Sequence, residues 1–194
     1  MIDNKLIDFS YSDHIQTLDF VKSDNFSVLF KQSIDLIYSK IIKGKNIFSC
    51  GNGGSFSDSQ HFIAELVVRY KRERKPFSAY ALGANQSVVT ASGNDYCYED
   101  IFLREFKALS RKDDLVVGIS TSGTSRNILK VIEYASENSI DWILLTSDLN
   151  TIQHSDGIII DFPWTTTASI QESHIFFLHL LCRALDELVL GNDN

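Results

Sequence analysis

GNGGSFSDSQHFIAE, residues 51–65, joins a glycine-rich turn to a helical pattern and decides the fold of this chain. The turn follows Asn46-Ile-Phe-Ser-Cys50, a largely apolar run that predicts a buried strand. The apolar residues after the turn recur at helical spacing, which predicts a helix from about Ser57 to Tyr70. Because such a turn exposes backbone N–H groups at the positive end of a helix, it suits the binding of a phosphate group.

His61 and Glu65 lie four positions apart, so they share one face of the predicted helix. From there both side chains could reach one metal ion or one substrate atom. Arg69 lies one further turn along that face and could touch a substrate. A His/Glu pair alone is weak evidence, because a buried histidine is often paired with an acid for structural reasons. Its place after the glycine-rich turn favours a metal or catalytic role, and the segment predicts an enzyme acting on a phosphorylated small molecule.

Composition bounds the class of protein. The chain has 194 residues, of which 44% are hydrophobic, and fits one soluble globular domain. With 25 acidic and 18 basic residues its net charge is −7, which argues against a nucleic-acid partner. No apolar run is long enough to span a bilayer and the N-terminus lacks a signal pattern, so we expect no membrane partner and a cytoplasmic location. Three scattered cysteines agree with a reducing compartment.

Residues 1–43 predict two helices that belong to the same domain as the rest, the second from about Ser27 to Ile42. Residues 44–194 then alternate between strand and helix patterns. Strands are predicted at Ile47–Cys50, Phe77–Leu82, Leu115–Ile119, Trp142–Leu145 and Gly157–Ile160. Helices are predicted at about Ser57–Tyr70, Gln86–Ser92, Glu99–Leu109, Arg126–Asn138 and Ser169–Leu190. This alternation predicts an α/β fold, a three-layer sandwich with a central parallel sheet covered on both faces.

A second loop, Ser120-Thr-Ser-Gly-Thr-Ser125, follows the predicted strand Leu115–Ile119 and carries five hydroxyl side chains. In an open α/β sheet, ligands bind at the carboxyl ends of the strands, where this loop must lie. Helix capping by Thr124 or Ser125 is the alternative explanation, but it accounts for one hydroxyl rather than five. The loop therefore favours a phosphate site built from hydroxyls and backbone amides.

The last predicted helix carries polar residues on an otherwise apolar stretch, and its periodicity alone is ambiguous. His174 and His179 are about 140° apart around a helix, so they do not easily serve one site. Glu172 nearly superimposes on His179, and Gln171 is about 80° from it. A histidine in a core helix is usually a satisfied core residue, so the residues alone do not select among these candidates.

Four motifs in the chain resemble one known family when they are taken in order. They are CGNGGS and DSQHFIAEL within residues 50–66, SGNDY at 92–96, ISTSGTSRN at 119–127 and IQESHIFFLH at 170–179. Together they resemble the sugar isomerase (SIS) domain family, and within it the phosphoheptose isomerases, from about Leu29 to Leu188. The resemblance implies a flavodoxin-like SIS domain over residues 44–194. It also implies that the N-terminal helices pack in an oligomer.

The resemblance implies one zinc ion per subunit, held by four side chains that fall on His61, Glu65, Gln171 and His179. It thereby selects Gln171 and His179 in the last helix. Glu65 is implied as the catalytic base and His179 as the acid. Implied substrate contacts fall on Asn52, Gly53, Gly54, Glu65, Arg69, Asn94, Asp95, Ser120, Thr121, Ser122, Ser125 and Gln171.

The implied function is isomerisation of sedoheptulose 7-phosphate to D-glycero-D-manno-heptose 7-phosphate by enediol proton transfer. This reaction belongs to heptose biosynthesis for the lipopolysaccharide core or another surface glycan. The implied partner is thus a phosphorylated seven-carbon sugar. The implied assembly is a homotetramer whose sites are shared between subunits.

Two segments depart from the family pattern. A glycine-rich segment is replaced by Ser147-Asp-Leu-Asn-Thr151, and a common Asp-Arg pair before IQE is replaced by Ala168-Ser169. These changes affect loop shape and the rim of the site but leave the implied metal ligands in place.

Two other functions stay open at this point. Some SIS proteins bind a replication initiator and have lost Glu and His at the positions of Glu65 and His179; this chain has both residues, which opposes that function. The other alternative is a SIS isomerase of a different sugar phosphate, which competition between substrates would reveal.

Overall fold

The structure, a computed structural model, describes residues 4–147, 156–163 and 166–191. Its α-helices are α1 (Asn4–Asp19), α2 (Asp24–Ile42), α3 (Gly54–Val67), α4 (Gln86–Asp95), α5 (Leu103–Leu109), α6 (Arg126–Glu137) and α7 (Thr167–Leu190). Its strands are β1 (Ile47–Gly51), β2 (Ala79–Ala81), β3 (Leu115–Ile119), β4 (Asp141–Thr146) and β5 (Ile158–Asp161). Short 3₁₀ turns lie at Phe20–Lys22 and Tyr98–Asp100.

The five strands form one parallel sheet in the order β2-β1-β3-β4-β5. After β1 the chain adds β2 on one side of that strand. It then crosses to β3 on the other side of β1 and continues outward through β4 and β5. In doubly wound folds of this order, ligands bind where the direction reverses, at the carboxyl ends of the first and third strands. Gly51 pairs with Ile119 at that end, so the glycine-rich turn and the hydroxyl-rich loop start side by side.

Alternate residues of the buried strands supply two separate cores, one on each face of the sheet. Ile47 and Val117 face the core built with α2, α3 and α7. Phe48 and Val116 face the core built with α5 and α6. β1 and β3 are buried along their whole length, as a parallel sheet between two helical layers requires. The predicted three-layer α/β fold with a parallel sheet is therefore confirmed.

Several predicted boundaries differ from the observed ones; for example, β2 spans Ala79–Ala81 rather than Phe77–Leu82, and α4 continues to Asp95 rather than ending near Ser92. α3 begins at Gly54 rather than near Ser57, and it ends at Val67 rather than near Tyr70. The helix predicted over Glu99–Leu109 is instead a 3₁₀ turn followed by the shorter α5. The carboxylate of Asp100, at the end of that turn, accepts hydrogen bonds from Lys130 Nζ at 3.0 Å and Cys97 Sγ at 3.3 Å, which fixes the chain in the turn.

α1 lies against α7 and is joined to it by polar contacts. The carboxylate of Asp13 accepts a hydrogen bond from Thr166 Oγ1 at 2.7 Å, and His14 Nδ1 lies 2.7 Å from Glu172 Oε2. Several large apolar side chains of α1 are exposed, and these are Leu6, Ile7, Phe9 and Tyr11. None of the helices within the described ranges has the combination of length and apolar character that crossing a membrane requires.

Candidate active site

The turn between β1 and α3 is built on glycine because the backbone leaves no room for side chains. A Cβ atom on Gly51 would lie 2.3 Å from the carbonyl oxygen of Ser55. Gly53 has a positive φ of 55°, a conformation that residues with a side chain rarely adopt. As a result α3 starts at Gly54, directly beyond the carboxyl end of β1, and its first turn points into the predicted ligand site.

Asn52, in this turn, is held by a pair of side-chain hydrogen bonds to Asn127. Asn52 Nδ2 donates to Asn127 Oδ1 at 2.9 Å, and Asn127 Nδ2 donates back to Asn52 Oδ1 at 2.8 Å. Tyr98 Oη donates to the same Asn52 oxygen at 3.1 Å. Neither Asn127 nor Tyr98 is among the site residues predicted from the sequence. The ISTSGTSRN motif contains Asn127 and could have drawn attention to it, whereas no motif points to Tyr98.

The hydroxyl-rich loop lies beside this turn, between β3 and α6. Ser120 Oγ donates to Ser125 Oγ at 3.0 Å, and the hydroxyls of Ser122 and Thr124 lie 2.9 Å apart. Ser125 is the N-cap residue of α6, but its side chain makes no capping hydrogen bond. The capping alternative is thus not supported for Ser125. The backbone carbonyl of Thr121 accepts a hydrogen bond from Ser147 Oγ, which joins this loop to the end of β4.

His61, Glu65 and His179 come together where α3 packs on α7. His61 Nε2 lies 3.0 Å from His179 Nε2 and 3.2 Å from Glu65 Oε1. The rings of Tyr70 and His179 are also neighbours, with centroids 5.6 Å apart. The carboxylate of Glu65 is about one-fifth exposed, so it is shielded yet reachable from solvent. Three of the four implied metal ligands therefore meet within a single chain.

Gln171, the fourth implied metal ligand, lies over the start of α3. A Cβ atom on Gly54 would be 2.7 Å from Gln171 Nε2 and 2.9 Å from Gln171 Oε1. Glycine at position 54 is therefore what allows the Gln171 amide to occupy this place. Gln171 and His179 thus both reach α3 from α7, whereas His174 points elsewhere, since it is fully buried and its Nε2 lies 3.4 Å from the carbonyl oxygen of Thr146.

Three of the four implied ligands, His61, Glu65 and His179, suit zinc in their chemistry, since imidazole nitrogens and carboxylate oxygens are its usual donors. Across the described residues, no three His, Cys, Asp or Glu side chains meet the geometry of a metal site. Nitrogen ligands of a tetrahedral zinc ion are separated by about 3.3 Å, as zinc–nitrogen distances of about 2.0–2.1 Å require. The observed separation of 3.0 Å would have to widen by a few tenths of an ångström. His61, Glu65 and His179 therefore fit zinc in kind, and the two rings would have to move slightly apart to hold it.

The surroundings of His179, on α7, favour its uncharged imidazole ring. Burial lowers the pKa of His179, the neighbouring His61 lowers it further, and Glu65 opposes both effects. A neutral ring is the form that binds a metal ion.

Asp58, one turn before His61, has its pKa raised by burial, and its Oδ2 atom has no hydrogen-bond partner among the described residues.

Arg69 does not lie on the His61 and Glu65 face of α3, which corrects the prediction. α3 ends at Val67, and Arg69 lies beyond it, where its Nη1 donates to the carbonyl oxygen of Lys71 at 3.2 Å. The helix ends because Arg74 takes its last carbonyls, donating to the oxygens of Glu65 at 2.7 Å and Leu66 at 3.0 Å. A side chain thus replaces the backbone N–H groups of a further turn.

A buried ion pair holds Arg74 in this position. Its Nε donates to Asp186 Oδ1 at 3.1 Å, and its guanidinium carbon lies 3.9 Å from the centre of the Phe77 ring. Asp186 Oδ2 accepts from the backbone N–H groups of Lys71 and Arg72, each at 3.1 Å. The end of α3 that carries Glu65 is therefore fastened to α7, the helix that carries His179.

Asn94 and Asp95 contact each other rather than the implied metal ligands or the two loops. They end α4, where Asn94 Nδ2 donates to Asp95 Oδ1 at 2.8 Å. Asp95 lines an open hollow between α4 and α5 together with Arg104 and Glu105, whereas other residues line the hollow beside Asn52. The structure thus brings together His61, Glu65 and His179, and places Gln171 over the start of α3, but it does not show Asn94 and Asp95 joining them.

The structure describes only part of the two segments that depart from the family pattern, at 147–151 and 168–169. Of Ser147–Thr151, residues 148–151 lie outside the described residues. Ser169 donates through its hydroxyl to the carboxylate of Asp13, so this position ties α7 to α1.

Comparison with known proteins shows which family this chain belongs to. The sequence pattern of the SIS domain matches residues 11–147. The chain is 40% identical over 188 residues to a phosphoheptose isomerase of Helicobacter pylori, covering 96% of both chains. It is 42% identical over 166 residues to one of Campylobacter concisus, covering 80% of this chain and 83% of the relative.

The chain belongs to the phosphoheptose isomerase family of SIS domain proteins.

Solved structures of phosphoheptose isomerases agree with this assignment. The enzyme from Francisella tularensis superposes with a TM-score of 0.89 at 30% sequence identity, covering 96% of this chain and 100% of that one. The resemblance predicted from four short motifs is therefore confirmed.

Proposed function

We propose that this chain is an aldose–ketose isomerase that converts sedoheptulose 7-phosphate to D-glycero-D-manno-heptose 7-phosphate. Family membership supports the reaction class. The observation that carries the proposal is the convergence of Glu65 and His179 on His61, beside the two loops at the reversal point of the sheet. A carboxylate and an imidazole so placed form the base and acid pair that enediol proton transfer needs.

Glu65 is the proposed base that moves a proton between C1 and C2 of the sugar, and His179 is the proposed acid at the carbonyl oxygen. The partial burial of Glu65 strengthens its interaction with the substrate by excluding water. The hydrogen bonds from Arg74 to the end of α3 hold the backbone of Glu65 in place. The two side chains can therefore act on one carbon–oxygen unit held between α3 and α7.

We propose that His61, Glu65, Gln171 and His179 hold one zinc ion per subunit, which when bound would polarise the oxygens of the sugar. The contacts among the first, second and fourth residues support this proposal. A carboxylate held tightly by a metal ion loses basicity. Glu65 is accordingly proposed to bind the ion loosely while it acts as base, and a substrate complex with Glu65 firmly on the metal and no other base near C1 or C2 would contradict this.

The phosphate is proposed to bind the loop at 120–125, and the sugar chain to run along the turn at 52–54. The cluster of hydroxyls in that loop and the N-terminus of α6 behind it support this placement, because helix N-termini and hydroxyls favour anions. Binding the phosphate away from the reacting carbons supplies affinity and orientation. Asn52, Gly53 and Gly54 then contact the sugar hydroxyls.

We further propose that the enzyme is a cytoplasmic homotetramer with sites shared between subunits, and that its product feeds heptose synthesis for lipopolysaccharide or another surface glycan. The exposed apolar side chains Leu6, Ile7 and Phe9 of α1 support burial in an assembly. The family resemblance supports a site completed by a neighbouring subunit. The free thiols of Cys50, Cys97 and Cys182 agree with a reducing compartment.

Substrate choice tests the proposal. The purified protein is incubated separately with sedoheptulose 7-phosphate and with five- and six-carbon ketose phosphates, and products are followed by nuclear magnetic resonance. We expect conversion of the seven-carbon sugar with the highest kcat/KM. Preference for another sugar phosphate would make the chain an isomerase of that sugar. Turnover of none, with binding to a replication initiator protein, would contradict the enzymatic function.

A further inference from the structure

The amide of Asn52, in the turn after β1, is held by three side-chain hydrogen bonds. It forms two hydrogen bonds with Asn127, at 2.9 and 2.8 Å, and a third with Tyr98 Oη at 3.1 Å. Asn127 is 2% exposed, so its amide is removed from water. A buried amide without its hydrogen-bond partner raises the free energy of the folded chain, so the pairing with Asn127 strongly favours one orientation of the Asn52 side chain.

The three hydrogen bonds also decide which groups of Asn52 stay available. Its Oδ1 atom accepts two hydrogen bonds, from Asn127 Nδ2 and Tyr98 Oη, which is the capacity of an amide oxygen. Its Nδ2 atom donates one of its two hydrogens to Asn127 Oδ1. One N–H remains. Asn52 can therefore donate to a ligand but has no acceptor left to offer.

We propose that Asn127 and Tyr98 are positioning residues that orient the Asn52 amide so that it presents a single N–H donor to an oxygen atom of the phosphosugar. This inference rests on the proposed function. A fixed donor suits a carbonyl or hydroxyl oxygen that gains negative charge as the enediol forms, because a preorganised donor needs no reorientation at that moment. Asn127 acts through Asn52 and does not contact the substrate itself.

The Asn52–Asn127 pair also links the two loops of the proposed site. Asn127 lies in the first turn of α6, directly after the loop at 120–125, whereas Asn52 lies in the turn after β1. The amide pair thus fixes the spacing of the two loops that the proposal assigns to the phosphate and to the sugar. Loss of Asn127 should impair turnover through the placement of Asn52, in addition to any effect on stability.

A double-mutant cycle tests the inference. Asn52→Ala, Asn127→Ala and the double variant are compared with the wild type for kcat and KM. We expect each single variant to lower kcat/KM about tenfold, the effect of one lost hydrogen bond to the substrate. If Asn127 acts through Asn52, the double variant will match Asn52→Ala within about twofold. Independent effects that multiply to about a hundredfold would overturn the proposal.

Two further variants separate positioning from folding. Asn46→Ala removes another structural amide, which donates to Asp114 Oδ2 at 3.2 Å at the opposite end of β1, and should lower the melting temperature with kcat/KM unchanged. Tyr98→Phe removes one hydroxyl from an exposed ring, so it should keep the wild-type melting temperature and lower kcat/KM about threefold. An unchanged kcat/KM in Tyr98→Phe would contradict the role of Tyr98.

Crystal structures of the wild type and Asn127→Ala test the inference without any turnover. We expect the Asn52 side chain to adopt another rotamer, or several, in Asn127→Ala. An unchanged Asn52 amide would overturn the positioning role whatever the activity. A wild type that fails to convert sedoheptulose 7-phosphate would instead contradict the proposed function, and the two failures are therefore distinguishable.

Discussion

The Nε2 atoms of His61 and His179 lie 3.0 Å apart, although 118 residues separate them in the sequence. At this distance one ring donates a hydrogen bond to the other, and Glu65 completes the group 3.2 Å from His61. Two imidazoles facing each other at the junction of two helices provide nitrogen donors for one ion. The predicted contact between α3 and α7 is thus the core of the candidate site.

This contact predicts that zinc binding depends on both histidines. His61→Gln should lower the zinc bound per subunit at least tenfold, as measured by elemental analysis of protein dialysed against micromolar zinc. His14→Gln is the matched control, since His14 pairs with Glu172 through Nδ1 outside the proposed ligand set. The control should keep wild-type zinc content. Full zinc content in both His61→Gln and His179→Gln would contradict the proposed metal site.

Gly54 should be required for the placement of Gln171. A methyl group on Gly54 would meet the Gln171 amide at 2.7 Å, so Gly54→Ala should displace that amide and lower kcat/KM about tenfold. Gly93→Ala in α4 is the control, because its Cβ would meet only Ile101 at an ordinary 3.8 Å. It should keep activity and gain up to about 1 kcal/mol of stability. Equal activity in the two variants would contradict the role of Gln171.

The Arg74–Asp186 ion pair predicts a large effect on stability. Both side chains are nearly inaccessible, at 1% and 4% exposure, so Arg74→Met would leave a buried carboxylate without its partner. The free energy of unfolding should fall by about 3–5 kcal/mol, measured with urea. Arg183→Met removes an exposed arginine 3.7 Å from Glu187 and should cost less than about 1 kcal/mol. Similar losses in both variants would contradict the account of the buried pair.

His174 predicts a pH-dependent loss of stability. Burial lowers the pKa of His174 from its ordinary value of 6.5 to about 4, so the unfolded chain binds this proton more readily than the folded chain does. The contribution of neutral His174 is complete above pH 6.5 and is lost as the pH falls toward 4, by about 3 kcal/mol in total. His174→Gln cannot titrate, and its free energy of unfolding should fall less over this range. Parallel pH profiles for both proteins would contradict the assignment.

Much of the fold was predictable because its signals are local. The apolar runs at β1 and β3 and the glycine-rich turn between β1 and α3 each carry their own pattern. The end of α3 was not predictable, since it depends on Arg74, whose burial depends on Asp186, 112 residues further along. Helical periodicity alone cannot show that a distant side chain takes the last carbonyls of a helix.

Part of the candidate site could also be predicted from the sequence. His61 and Glu65 follow from their spacing on one helix, whereas His179 was selected over His174 through the family resemblance. The structure gives the physical reason, since His174 is enclosed against Thr146 and Phe162 while His179 reaches His61. Asn127 and Tyr98 were not predicted, because their contacts with Asn52 form only in the folded chain.

The central claim is that Glu65 transfers the proton in an isomerase of sedoheptulose 7-phosphate. The most direct test measures kcat on this sugar for the wild type, Glu65→Gln and the control Glu187→Gln, whose side chain lies on the exposed face of α7. The account predicts full activity in the wild type and the control, and a loss of about 10²–10⁴-fold in Glu65→Gln with the fold unchanged. Wild-type turnover by Glu65→Gln would contradict it.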